Sequence, residues 1–182
     1  MPDRAHFWRG IHDPDMVRSG VDTELTEPRF EGSRILASLV VANRDVGHAF
    51  PTYITPRVFL AMYQVNEAGD ELEGTRVEAV IGRDVNLGTM EERSDTRVLP
   101  GESVRLDYGK ERARVGRALV GVVTVDPDYH YRGVFERLLE RYTDETALTL
   151  IAEAAQQVSD STYVLSETRR ELHVPGHVAP GS

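Results

Sequence analysis

Cysteine is absent from this 182-residue chain. That excludes disulfides, thiolate nucleophiles, zinc fingers and ordinary iron–sulfur clusters, and it excludes covalent c-type haem, whose attachment needs C-x-x-C-H. Lysine is almost absent too: Lys110 is the only one, so arginine carries the positive charge. The net charge is −9, with no basic cluster of the kind that tracks phosphates, which argues against nucleic-acid binding. No apolar run is long enough to span a bilayer. The segment from Met1 to Trp8 has no apolar h-region of a signal peptide. The motifs G-x-S-x-G, P-loop and H-E-x-x-H are missing as well. The acidic stretches Glu67–Glu73 and Glu91–Asp95 read as solvated loops, not as two acids held across a cleft. No catalytic residue and no enzyme activity are expected.

What is present fits a globular protein. Charged residues make up 28% and hydrophobic residues 40%, ordinary values, and the length suits one domain with a sizeable core. Residues 1–20 read as an extended leader with a short helix. There Asp13 is a good N-cap, Pro14 a good first helical residue and Gly20 a good stop. Residues 21–126 read as all-β, with candidate strands at Val21–Phe30, Arg34–Asn43, Arg57–Val65, Arg76–Ile81, Thr96–Leu99, Ser103–Tyr108 and Ala118–Val125. Leu99-Pro100-Gly101-Glu102 suits a type II turn, and Asn66–Asp70 a short hairpin loop. Short strands with turn signals at this spacing predict an Ig-like antiparallel β-sandwich.

Residues 127–172 form a C-terminal helical segment expected to pack on that sandwich. Val134, Phe135, Leu138, Leu139 and Tyr142 mark one amphipathic helix starting near Asp128. Glu145–Val158, capped by Thr143 or Asp144, marks a second. Thr162–Leu172 is either a last strand or an extended arm. The tail 173–182, with two prolines and two glycines, reads as mobile.

The most informative stretch is Asn43 to Thr52. It follows the apolar run Ile35–Ala42 and places His48 at a strand-to-loop corner, between Gly47 and Pro51. An imidazole there can bind a metal or can simply cap the loop. His6 and His12 lie in the leader beside Phe7 and Trp8; six residues apart, they share no helix face and need not bind one ion. Asp13 near His12 is better explained as a cap than as a cation ligand. His130 reads as a surface residue. Asp126 and Asp128 read as acids that favour a helix N-terminus.

Several of these pieces resemble the C-terminal region of bacterial multihaem c-type cytochromes. They are Met1-Pro2 followed by His6 to Pro14; Gly47-His48-Ala49-Phe50-Pro51-Thr52; Asp95-Thr96-Arg97 with Pro100-Gly101-Glu102; and Pro127-Asp128-Tyr129 opening a helix. The resemblance implies a haem-free β-sandwich associated with a multihaem cytochrome, in the periplasm or outside the cell. It implies that the domain covers haems and supports electron transfer, with His6, His12 and His48 as distal ligands to haem iron in the complete protein. Haem c would come from another segment or chain, since none can attach here. The implied partners are a haem-bearing cytochrome segment or subunit and redox partner proteins. The other function class consistent with the residues is a haem-independent β-sandwich binding or assembly module, using exposed aromatics such as Tyr53, Tyr129 and Tyr131.

Overall fold

A computed structural model describes residues 10–86 and 88–173. His6, Phe7, Trp8 and the tail from Val174 lie outside the described residues.

Two antiparallel sheets face each other. After helix α1 (Pro14–Gly20), the first sheet is built from β1 (Val21–Leu25), β2 (Arg29–Glu31), β3 (Arg34–Asn43) and β8 (Ser103–Glu111). Strand β3 is its centre: β1 and β2 pair with its two halves on one side, and β8 runs along the other. The second sheet has the order β10-β9-β4-β5. Its strands are β4 (Arg57–Val65), β5 (Val77–Ile81), β9 (Ala118–Asp126) and β10 (Tyr163–Glu171). A separate ribbon pairs β6 (Arg83–Asn86) with β7 (Glu91–Asp95). The expected β-sandwich is therefore observed.

Alternation explains the core. Ile35, Ala37, Leu39 and Val41 of β3 face inward, as do Val58, Leu60 and Met62 of β4 and Val123 and Val125 of β9. Burying each large aliphatic side chain contributes about 1.5–3 kcal/mol. The sheets approach closely at Gly121, where a Cβ would come within 3.3 Å of Leu25 and 3.4 Å of Leu39. A glycine in this β-branched strand makes room for two leucines from the opposite sheet.

Two elements differ from the sequence reading for identifiable reasons. The run Val21–Phe30 is two strands, because Pro28 has no N–H and interrupts the ladder. The ladder is completed locally by the Thr26 hydroxyl, which accepts from Ser38 N at 2.9 Å. The stretch Glu91–Asp95 is a strand rather than a loop. All five of its residues are exposed, so no apolar alternation marked it, and the ribbon is laced by ion pairs such as Arg83–Glu92 at 2.6 Å. Thr96–Leu99 reduces to one bridge, Phe50 with Val98. Thr162–Leu172, left open between strand and arm, contains β10.

At one end the sheets are joined by a buried amide. Gln64, fully buried, donates to the Tyr108 hydroxyl (3.0 Å) and the Glu111 carbonyl (2.8 Å), and its oxygen accepts from Ala113 N (2.8 Å). Tyr108 in turn donates to the Thr75 carbonyl at 2.9 Å. Each hydrogen-bonding atom of the Gln64 amide is thus engaged. Replacing Gln64 by Ala orphans those groups and opens a cavity, so urea unfolding should show a loss of about 3 kcal/mol with an unchanged slope, and Tyr108→Phe a loss of about 1 kcal/mol.

Candidate functional site

Strand directions gather most of the long connections at the other end of the sandwich. β3 ends there at Asn43, β5 at Ile81 and β9 at Asp126, while β1, β4, β8 and β10 begin there. That end therefore carries α1, the loop 44–56, the β6–β7 ribbon and the helical excursion 127–162. The Gln64 end has the turns 26–28, 32–33 and 112–117 and one longer loop, 66–76, whose Thr75 belongs to the Gln64 network. His12, His48 and His130 all belong to the elaborated end.

Between α1 and the loop 44–56 lies a groove of about 580 Å³. Its walls are mainly apolar, from Ile11, Met16, Val46, Phe50, Tyr53 and Pro56, and His48 stands at it. Phe50 and Pro51 are buried and joined by a cis peptide bond. Tyr53 is 71% exposed, a large apolar ring left in water at the groove.

The loop is held by Asn43, whose side chain is buried at the end of β3. Its Nδ2 donates to the carbonyls of His48 (2.8 Å) and Val98 (3.0 Å), and its Oδ1 accepts from Val46 N (3.1 Å). One amide thus fixes the corner to β3 and to the Phe50–Val98 bridge. Gly47 needs no special backbone conformation, since its φ is not positive and a Cβ there would meet open space. The glycine that matters is Gly20: a Cβ on it would sit 2.7 Å from Val46 Cγ2. Its carbonyl also accepts from Arg44 N and Asp45 N at 3.0 and 3.1 Å, which seats the loop on α1.

The His48 ring is exposed, and its Nδ1 lies 3.1 Å from the Ala49 carbonyl and 3.0 Å from Thr52 Oγ1. The Ala49 carbonyl only accepts and so favours a hydrogen on Nδ1, while the Thr52 hydroxyl, also 3.5 Å from Nε2, can serve either ring nitrogen. Metal-binding imidazoles are oriented in the same way, by a partner on the other nitrogen.

The far wall is braced electrostatically. Arg97 donates to the Thr52 carbonyl at 2.9 Å and to Asp95 Oδ2 at 2.6 Å. Hydrogen bonding from Arg97, against some desolvation, lowers the Asp95 carboxyl to a pKa of about 2. The near wall rests on α1, where the Asp13 side chain caps the helix as expected, accepting from Asp15 N and Met16 N at 3.0 Å. Arg18 ties this helix to the Val164 and Leu165 carbonyls. Tyr163 donates to the Ile11 carbonyl at 2.8 Å, and burial pushes its phenol up to about 12.

His12 is differently placed. Its Nε2 lies 2.9 Å from Asp128 Oδ2, so the nitrogen that would meet a metal is occupied by a carboxylate. Asp128 makes no side-chain cap to the helix that follows. Asp126 is not a surface acid of that helix either. It is 2% exposed at the end of β9, pairs with Arg132 at 2.6 Å, and burial raises its pKa. His130 contributes its backbone N–H to the Thr55 carbonyl and stacks edge-on with Tyr131.

Among the described residues, no cluster of three or more His, Asp or Glu is placed to hold a metal ion by itself. Among the described residues His48 stands at the apolar groove with its Nε2 free of any carboxylate. Sequence reasoning missed the anchoring roles of Asn43 and Arg97 and did not pair His12 with Asp128. For Asn43 a signal existed: an amide closing an apolar run, then a bend, is the pattern of a side chain accepting from the backbone three residues on.

Two measurements test this wiring. Asn43→Ala should cost about 2–4 kcal/mol and speed amide exchange at Val46 and Val98 before the rest of the sheet. Because the folded Asp95 pKa lies below its unfolded value, its stabilisation is complete above about pH 4 and is lost as pH falls toward 2. Thermal melting of the wild type should therefore decline more steeply across that interval than melting of Asp95→Asn.

No family model matches the chain, and no curated protein matches it in sequence. Among solved structures it is similar to a penta-haem cytochrome c552 from Thermochromatium tepidum, with a TM-score of 0.64 and 16% identity over 90% of this chain and 42% of that one. A Northeast Structural Genomics Consortium target, SoR45, aligns over 90% of this chain and 93% of its own at 12% identity, with a TM-score of 0.36 that carries no argument. The chain thus spans about two-fifths of the cytochrome's length, and its likeness to that cytochrome is one of fold.

Proposed function

We propose that this chain is the haem-free β-sandwich associated with a multihaem c-type cytochrome, where it covers haem, supplies a distal histidine and supports electron transfer without a catalytic group of its own. The observation that carries this reading is the fold likeness to a penta-haem cytochrome over 90% of the chain. The groove supports it locally, since a flat apolar macrocycle needs apolar walls and a neutral imidazole.

Haem would be held by another segment or subunit, because no cysteine is available here. When bound, it supplies one-electron chemistry through its iron. In this reading His48 offers Nε2 as the distal ligand, with Nδ1 anchored by Ala49. Ile11, Phe50 and Pro56 exclude water, and Tyr53 covers the exposed edge. His12 serves only if its contact with Asp128 opens. His6, outside the described residues, completes the candidate set. Docking of redox partners and a periplasmic or extracellular location belong to the same reading. Among the described residues no helix is long and apolar enough to cross a membrane.

The test uses the chain together with its haem-bearing segment or subunit. His48→Ala should convert one low-spin haem signal to high spin in electron paramagnetic resonance and shift one midpoint potential. His12→Ala should have the smaller effect. Unchanged spectra and potentials in His48→Ala would remove the ligand assignment. If Tyr53→Ala then abolished partner binding, the haem-independent binding module would take its place.

A further inference from the structure

The groove between α1 and the loop 44–56 is walled by side chains that the sandwich leaves in water. Met16 on one side is 46% exposed and Tyr53 on the other 71%. The groove's volume, about 580 Å³, falls in the range of clefts that enclose small apolar bodies, about 300–1,000 Å³. The helices of the excursion, α2 (Tyr129–Arg141) and α3 (Glu145–Asp160), contribute no residue to it and bury none of their own.

The described chain enters at this groove. Gly10 and Ile11 line it. Their position is fixed. The Gly10 carbonyl accepts from Asp13 N at 2.9 Å, the Ile11 carbonyl accepts from the Tyr163 hydroxyl at 2.8 Å, and the Ile11 side chain packs on the core. Immediately before them in sequence come Phe7, Trp8 and Arg9, outside the described residues. Consecutive Cα atoms are about 3.8 Å apart, so the Trp8 Cα is at most about 7 Å from that of Gly10 and the Phe7 Cα at most about 11 Å. Two aromatic rings are thus tethered within reach of apolar walls. Charge agrees with this. Asp45 is the one carboxylate lining the groove, and it makes no ion pair with another described residue. Arg9 adjoins Gly10 at the same rim.

We propose that the groove is the seat of the chain's own leader, with the Trp8 and Phe7 rings between α1 and the loop 44–56 and the Arg9 guanidinium on Asp45. The short tether makes insertion intramolecular, at an effective concentration on the order of millimolar, so modest contacts suffice. The Met16 thioether and the Tyr53 ring are surfaces against which aromatic rings pack well. The proposal rests on the groove walls and the tether, not on the haem reading. Within that reading it adds a regulation of the same site: the leader fills the groove until haem is brought to it, and loading requires the leader to withdraw.

Trp8 is the only tryptophan, so indole fluorescence of the full chain reports on this ring alone. Without haem, its emission should lie at shorter wavelength in buffer than in urea, and acrylamide should quench it several-fold less. Met16→Glu and Tyr53→Ser, both at exposed positions, should each move emission and quenching toward the urea values while far-ultraviolet circular dichroism stays native. Arg9→Glu and Asp45→Arg should each raise quenching, and the two together should restore it. Equal emission and quenching in buffer and in urea would overturn the proposal and leave the groove to a group from outside the chain. So would a shielded Trp8 indifferent to Met16→Glu and Tyr53→Ser, because the ring would then lie on another surface. None of these readouts needs haem, so a failed ligand assignment for His48 leaves this test intact.

Discussion

The Asn43 amide is the constraint on which the elaborated end of the sandwich depends. A buried amide is costly unless its donors and acceptor are engaged, and here the partners are the His48 carbonyl and Val46 N–H of the loop and the Val98 carbonyl across the bridge. Satisfying one side chain thus fixes a loop, a bridge strand and the mouth of a groove together. Gln64 performs the corresponding task at the opposite end, joining the two sheets through Tyr108 and the Glu111 and Ala113 backbone. Between these two polar anchors the interior is aliphatic and could tolerate repacking. The anchors allow much less, since each removed partner leaves a dry donor or acceptor behind.

The two ends divide the labour. The Gln64 end is closed by short turns and the loop 66–76, whose Thr75 completes the buried network around Gln64. The Asn43 end carries the groove, the charged ribbon and the helices, and a rigid scaffold that presents varied loops at one end is a common way of building a binding surface. The apolar groove and the exposed helical face lie on separate elements of that end.

The sandwich was legible in the sequence because its signals are local and strong. A near-continuous apolar run marked β3 and a run of β-branched residues marked β9, Asp13 and Asp144 mark helix starts by capping, and Gly101, with a φ of 79°, marks the Leu99–Glu102 turn. The ribbon β6–β7 was not legible, since strands exposed on both faces carry no periodic apolar pattern. The corner at His48 was visible, but what holds it was not: the bonds of Asn43 to Val98 and of Arg97 to Thr52 join residues about fifty positions apart. The pairing of His12 with Asp128 spans still more of the chain, so an acid that looked like a helix cap is committed to a histidine in the leader.

The attachment of the helical hairpin has an evolutionary consequence. Val125 and Tyr163, which bound the excursion, are direct partners in neighbouring antiparallel strands. The chain therefore leaves the sheet and returns within one strand spacing of about 4.8 Å. To the sheet, residues 127–162 are equivalent to a tight turn. Such an insertion can lengthen, shrink or be exchanged without moving a single core side chain, so variation can reach the outer surface of this fold while its interior stays the same.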